Sequence, residues 1–128
     1  MKWVYFKSDK FKAEPDEAEL INPVKCGRQL AKWLGEKLTL RGYEVGVMYA
    51  EDWGFEFDCI LPGKDKALIG CQNDGTVANE WACTLRIPRG FLHGLFRRGK
   101  ADPALDHFQG ALSDILSKES QISEVRWE

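Results

Sequence analysis

The chain is poor in the residues that usually announce chemistry. It has two histidines, His93 and His107, and four cysteines, none of them in a Cys-x-x-Cys pair. The ligand spacing of a zinc or haem site is therefore missing, and neither a metal nor another cofactor is expected. No Gly-x-Gly-x-x-Gly, P-loop, Gly-x-Ser-x-Gly or His-Glu-x-x-His pattern occurs, which removes the commonest nucleotide-binding, hydrolase and metalloprotease signatures. The N-terminal apolar run, Trp3-Val4-Tyr5-Phe6, is only four residues long before charges resume. That is too short for a signal peptide or a membrane anchor, so no membrane contact is expected, the cytoplasm is the expected location, and Cys26, Cys59, Cys71 and Cys83 are expected to be reduced. Basic excess is absent too: 18 Lys and Arg against 20 Asp and Glu leave a formal charge of −2, which argues against broad affinity for nucleic acid.

What the chain does have is a segregation of charge. Residues 42–63 carry Glu44, Glu51, Asp52, Glu56 and Asp58 with no Lys or Arg, whereas residues 81–101 carry Arg86, Arg89, Arg97, Arg98 and Lys100 with no acid. Natural surfaces usually mix the two signs, so this arrangement reads as a surface that meets a partner.

At 128 residues the chain is expected to form one domain over 1–128, long enough to bury roughly two thirds of its unfolded surface. Residues 3–6 read as a first strand, and residues 8–22 as a charged surface loop. Asn22-Pro23 is a helix start, and Leu30, Ala31, Leu34 and Leu38 at three-to-four spacing predict a helix from Pro23 to Arg41, stopped by Gly42. From Tyr43 the period becomes two: Tyr43, Val45, Val47 and Tyr49 alternate as one strand, then Phe55, Phe57, Cys59 and Leu61 as a second, after a turn at 51–54. Residues 67–73 and 80–87 add two more strands around Asp74-Gly75-Thr76, giving a four-stranded antiparallel meander. A short helix over Phe91 to Phe96, a longer one opened by Asp102-Pro103 and a last strand in the final eight residues complete the expectation. The predicted architecture is α+β: a two-layer sandwich in which an antiparallel sheet of four meander strands plus terminal strands packs on two main helices.

Within that frame the aromatic and aliphatic positions of the meander face the helices. The opposite set, Glu44, Glu56, Asp58, Gln72, Thr84 and Arg86, then shares one solvent face. An acidic face of this kind steers a basic partner and rejects acidic ones. Glu51, Asp52 and Trp53 at the hairpin tip add an aromatic anchor, so the candidate partner-binding residues are Glu44, Glu51, Asp52, Trp53, Glu56 and Asp58. Other chemistries are weaker. Cys59, Cys71 and Cys83 recur every twelve residues, an interval that regular hairpins generate by themselves. A small enzyme using Cys71, or the Glu51-Asp52 pair, in a pocket between sheet and helices is an alternative, although mid-strand Cys71 has no electropositive setting and no catalytic residue is assigned. A nucleic-acid or regulatory module using Arg86 to Lys100 is the other.

Asn22-Pro23, Gly27, Leu30-Ala31-Lys32-Trp33-Leu34, Gly42-Tyr43, Glu51-Asp52-Trp53-Gly54-Phe55, Gly70-Cys71, Glu80-Trp81 and Val125-Arg126-Trp127 together resemble a group of small, uncharacterised bacterial proteins over most of the chain. Phe55 stands where that pattern has tryptophan. Proteins of this size and acidity are similar to bacterial toxin-immunity proteins. The residue pattern itself carries no activity; the likeness in size and character implies a cytoplasmic binder that neutralises a basic toxin or enzyme.

Overall fold

The computed structural model describes residues 1–17, 26–63, 65–73, 77–88 and 103–128. The Asn22-Pro23 start, the Asp74-Gly75-Thr76 turn, the short helix at 91–96 and the Asp102 cap lie outside the described residues. Within them the chain runs β1 (Lys2–Ser8), α1 (Arg28–Leu40), β2 (Glu44–Val45), β3 (Tyr49–Glu51), β4 (Gly54–Ile60), β5 (Lys66–Gln72), β6 (Glu80–Arg86), α2 (Pro103–Lys118) and β7 (Ile122–Trp127). The seven strands form one antiparallel sheet in the order β2-β4-β5-β6-β1-β7, with β3 also paired to β4. This is the expected α+β arrangement, a meander extended by the two terminal strands.

One face of the sheet meets both helices. Val4 and Phe6 of β1, Phe57 and Cys59 of β4, and Ile69 of β5 are almost completely buried there, against Leu30 and Leu34 of α1 and Phe108 and Leu112 of α2. The strand side chains alternate and the helical ones recur at three-to-four spacing, so the two periods read from the sequence meet in one core. Tyr43 closes its margin, its ring edge-on to Phe108 at 5.0 Å.

Helix α1 begins later than its pattern predicts. Cys26 is bridged to Asn73 and Gly27 is non-helical, so the helix opens at Arg28 and not at Pro23. Its cap comes from a distance: the buried Glu17 carboxylate accepts from the backbone N–H groups of Gly27 at 2.9 Å and Arg28 at 2.8 Å. A carboxylate suits the positive end of a helix, but one ten residues upstream gives no local signal. At the other end Gly42 takes φ 91°, with its N–H donating to Thr39 and that of Tyr43 to Leu38, the paired bonds of a glycine-terminated helix.

The strand expected from Tyr43 to Tyr49 is interrupted. Val45 lies opposite Cys59, whereas Tyr49 lies opposite Glu56, so four steps on one strand match three on its partner. The extra residue, within Gly46-Val47-Met48, reverses the facing of everything after it. Tyr49 therefore leaves the helix side on which unbroken alternation would keep it, and Val47 is 84% exposed instead of facing the core.

Candidate functional site

The meander is completed by two-residue turn geometry at Asp52-Trp53, with Glu51 paired to Gly54. Trp53 does not project from this tip. Its indole folds back over the uncovered face of the sheet and rests on Gly70, in the middle of β5. A side chain at Gly70 would begin 2.6 Å from the indole and 2.4 Å from the Thr84 hydroxyl, so only glycine leaves the space that the ring and the hydroxyl fill.

Register places Tyr49, Glu56, Gly70, Thr84 and Trp3 in one row across five strands. A cleft of about 480 Å³ opens over this row, lined by Trp3, Trp53, Glu56, Gln72, Thr84 and Arg86, together with Met1. Glu56 is its polar centre and is only 3% exposed. The Tyr49 hydroxyl donates to Glu56 Oε1 at 2.5 Å, and one Arg86 nitrogen lies 3.4 Å from each carboxylate oxygen. Burial, and then the bond to Glu56, push the Tyr49 phenol well above its usual range, so the phenol stays a donor.

The six expected site residues divide. Glu44, Glu51, Glu56 and Asp58 share the uncovered face with Gln72, Thr84 and Arg86, as their alternation requires. They do not share exposure: Glu56 and Thr84, expected to point to solvent, are buried under the aromatic cover. Asp58 has Lys66 at 3.6 Å. Glu44 and Asp52 are exposed, Glu51 is half-buried, and among the described residues none of these three has an ion pair. Trp53 is half-buried on the sheet. Trp3, Tyr49 and Gly70 were not among the expected residues. Gly70 did leave a signal, since an isolated glycine inside a strand pattern marks a close approach.

Other candidates have less chemistry. Cys71 is completely buried with its Sγ 3.9 Å from that of Cys83, and burial raises its thiol far above the reactive range. Burial likewise raises Cys59 to about 12 and Cys26 to about 11. A groove of about 590 Å³ between α1 and the sheet edge, lined by Gly35, Thr39, Leu40, Val45 and Met48 among others, is larger than the cleft but mostly apolar. His107 is exposed on α2. His93, Arg89, Arg97, Arg98 and Lys100 lie outside the described residues. Among the described residues no helix is long and apolar enough to cross a membrane, and no cluster of three or more His, Cys, Asp or Glu could hold a metal ion.

Comparison with known protein families, with curated proteins and with solved structures gives no match in any of the three.

Proposed function

We propose that this protein is a small cytoplasmic binding domain of the immunity or antitoxin kind, which docks a basic protein, a bacterial toxin or enzyme, on the uncovered face of its sheet and the 51–54 hairpin. The observation that carries this reading is where unbalanced charge is left. Asp58 and Glu56 are answered within the chain by Lys66 and Arg86, whereas Glu51 and Asp52 stand unpaired among the described residues beside the half-buried Trp53, with Glu44 at the far end of the same edge. Unpaired exposed acids act at long range and raise the rate of encounter with a basic surface, while an aromatic ring beside them supplies contact area.

The test is a triple variant, Glu44→Lys, Glu51→Lys and Asp52→Lys, assayed by stopped-flow association with the partner recovered by affinity capture from the native cell. The expected result is a fall in association rate of roughly tenfold or more at low ionic strength, shrinking as salt is added. An unchanged rate removes the reading. Glu56 and Asp58 are left intact because their charges are already matched inside the molecule.

A further inference from the structure

The cleft over Gly70 is more elaborate than a general acidic surface requires. Its carboxylate, Glu56, has a 4% exposed side chain, yet among the described residues only one of its oxygens has a short donor, the Tyr49 hydroxyl. The other has the Arg86 guanidinium at 3.4 Å, well beyond the roughly 2.7–2.9 Å of a firm charge-assisted hydrogen bond. Arg86 is loosely held in a second sense, because its side chain is 40% exposed and can turn into solvent. Two indoles, Trp53 and Trp3, line the same cleft, and indole faces attract cations more than the other aromatic rings do. The face already uses this attraction once: the Arg126 guanidinium lies 5.0 Å over the Tyr5 ring, which itself stacks on Trp3 at 5.8 Å. Around the cleft, Glu51 and Asp52 add negative charge with no base to match them among the described residues.

We propose that this cleft receives one basic side chain of the partner, a guanidinium or ammonium group that pairs with Glu56 and lies against Trp53 and Trp3, and that Arg86 is the chain's own stand-in for that group. This rests on the reading of the domain as a binder of a basic protein and names the contact by which it grips. One carboxylate balances one cation, so the incoming group and Arg86 compete. In the free domain Arg86 keeps Glu56 from being buried without a counter-charge, and in the complex Arg86 moves outward.

The experiment titrates the native domain with N-acetyl-arginine methylamide, N-acetyl-lysine methylamide and the uncharged N-acetyl-norleucine methylamide, followed by amide and indole N–H shifts in two-dimensional NMR. The two basic probes are expected to give saturable shifts at Trp53, Gly70 and Thr84 with roughly millimolar affinity, and the norleucine probe none. Arg86→Met is expected to tighten binding at least tenfold and Glu56→Gln to abolish it. If Glu56→Gln does not fold, Trp3→Leu, which alters only the uncovered face, replaces it with an expected severalfold loss. Absence of saturation, an equal response to norleucine, unchanged affinity in folded Glu56→Gln or in Trp3→Leu, or weaker binding in Arg86→Met each overturns the proposal. Because these probes need no partner, the result is independent of the triple-lysine experiment. Probe binding that depends on Glu56, together with an unchanged partner association rate in the triple variant, would retain the cation seat and discard its assignment to that partner.

Discussion

On the helix side of β4, Phe57 and Cys59 are buried against hydrocarbon, while on the other side Glu56 is buried almost as deeply, with a phenol and a guanidinium as its partners. The two faces reach the same exclusion of water by different means. Apolar burial is non-directional and forgiving of small displacements, so that face can be filled by volume and pattern alone. Burial of a carboxylate costs more with each partner it lacks, so the uncovered face depends on single residues at fixed positions, Gly70, Tyr49 and Trp53, with Arg86 as a looser counter-charge. Such a face is built at a cost that the core does not require, which is why function is sought there.

The comparison can be broken most sharply on the apolar side. Phe57→Ala removes a completely buried ring from the middle of β4 and is expected to cost about 3–5 kcal/mol, read as a lower urea midpoint at unchanged slope. On the other side, Gly70→Ala forces a methyl group onto the Trp53 ring and the Thr84 hydroxyl, with an expected loss of about 1–3 kcal/mol. Combining it with Trp53→Ala makes room, so a double-mutant cycle should show strong coupling. Additive costs would mean that the indole is not what holds Gly70 as glycine.

Titration reports burial on the helix side through its thiols. Burial raises the helix-side thiols from an ordinary value of 9.0, to about 12 for Cys59 and about 11 for Cys26, so below pH 9 they are neutral in both folded and unfolded chains. Above it the unfolded chain releases protons that the folded chain retains, and stability falls as pH rises through 9 towards 11 and 12. Melting temperatures measured between pH 8 and 10.5 should decline, less steeply in Cys59→Ala, and the four thiols should resist Ellman's reagent until the protein is unfolded. The smallest effect belongs to the surface pair. Lys66→Ala, which removes the partner of half-exposed Asp58, should change stability by no more than about 0.5–1 kcal/mol.

How much of this could be read from the residues follows the same division. The stripe of Leu30, Leu34 and Leu38, a second main helix, the 51–54 turn and the later three strands of the meander were legible because periodicity reports apolar burial directly. The cleft was legible only in part. Alternation grouped Glu56, Thr84 and Arg86 correctly, but it reports the direction of a side chain and not what lies above it, so the burial of Glu56 beneath an aromatic cover was missed. Trp3 sits in Trp-Val-Tyr-Phe, where both faces are apolar and alternation has no contrast to use. Tyr49 was assigned to the wrong face because one extra residue changes the phase without changing composition, and the Glu17 cap was missed because its partners are ten and eleven residues away.

That extra residue between β2 and β3 also bears on how the molecule behaves in a crowded solution. The outer margin of a sheet offers unpaired amide and carbonyl groups to any neighbouring chain, and long, flat margins recruit copies of themselves into fibrils. Here the margin is cut into pieces of two and three residues with opposite facing. Neither piece is long enough to template a neighbour, and a strand in register with one is out of register with the other. The displaced residue that turns Tyr49 towards Glu56 thus also leaves this margin of the sheet poorly matched to an incoming strand.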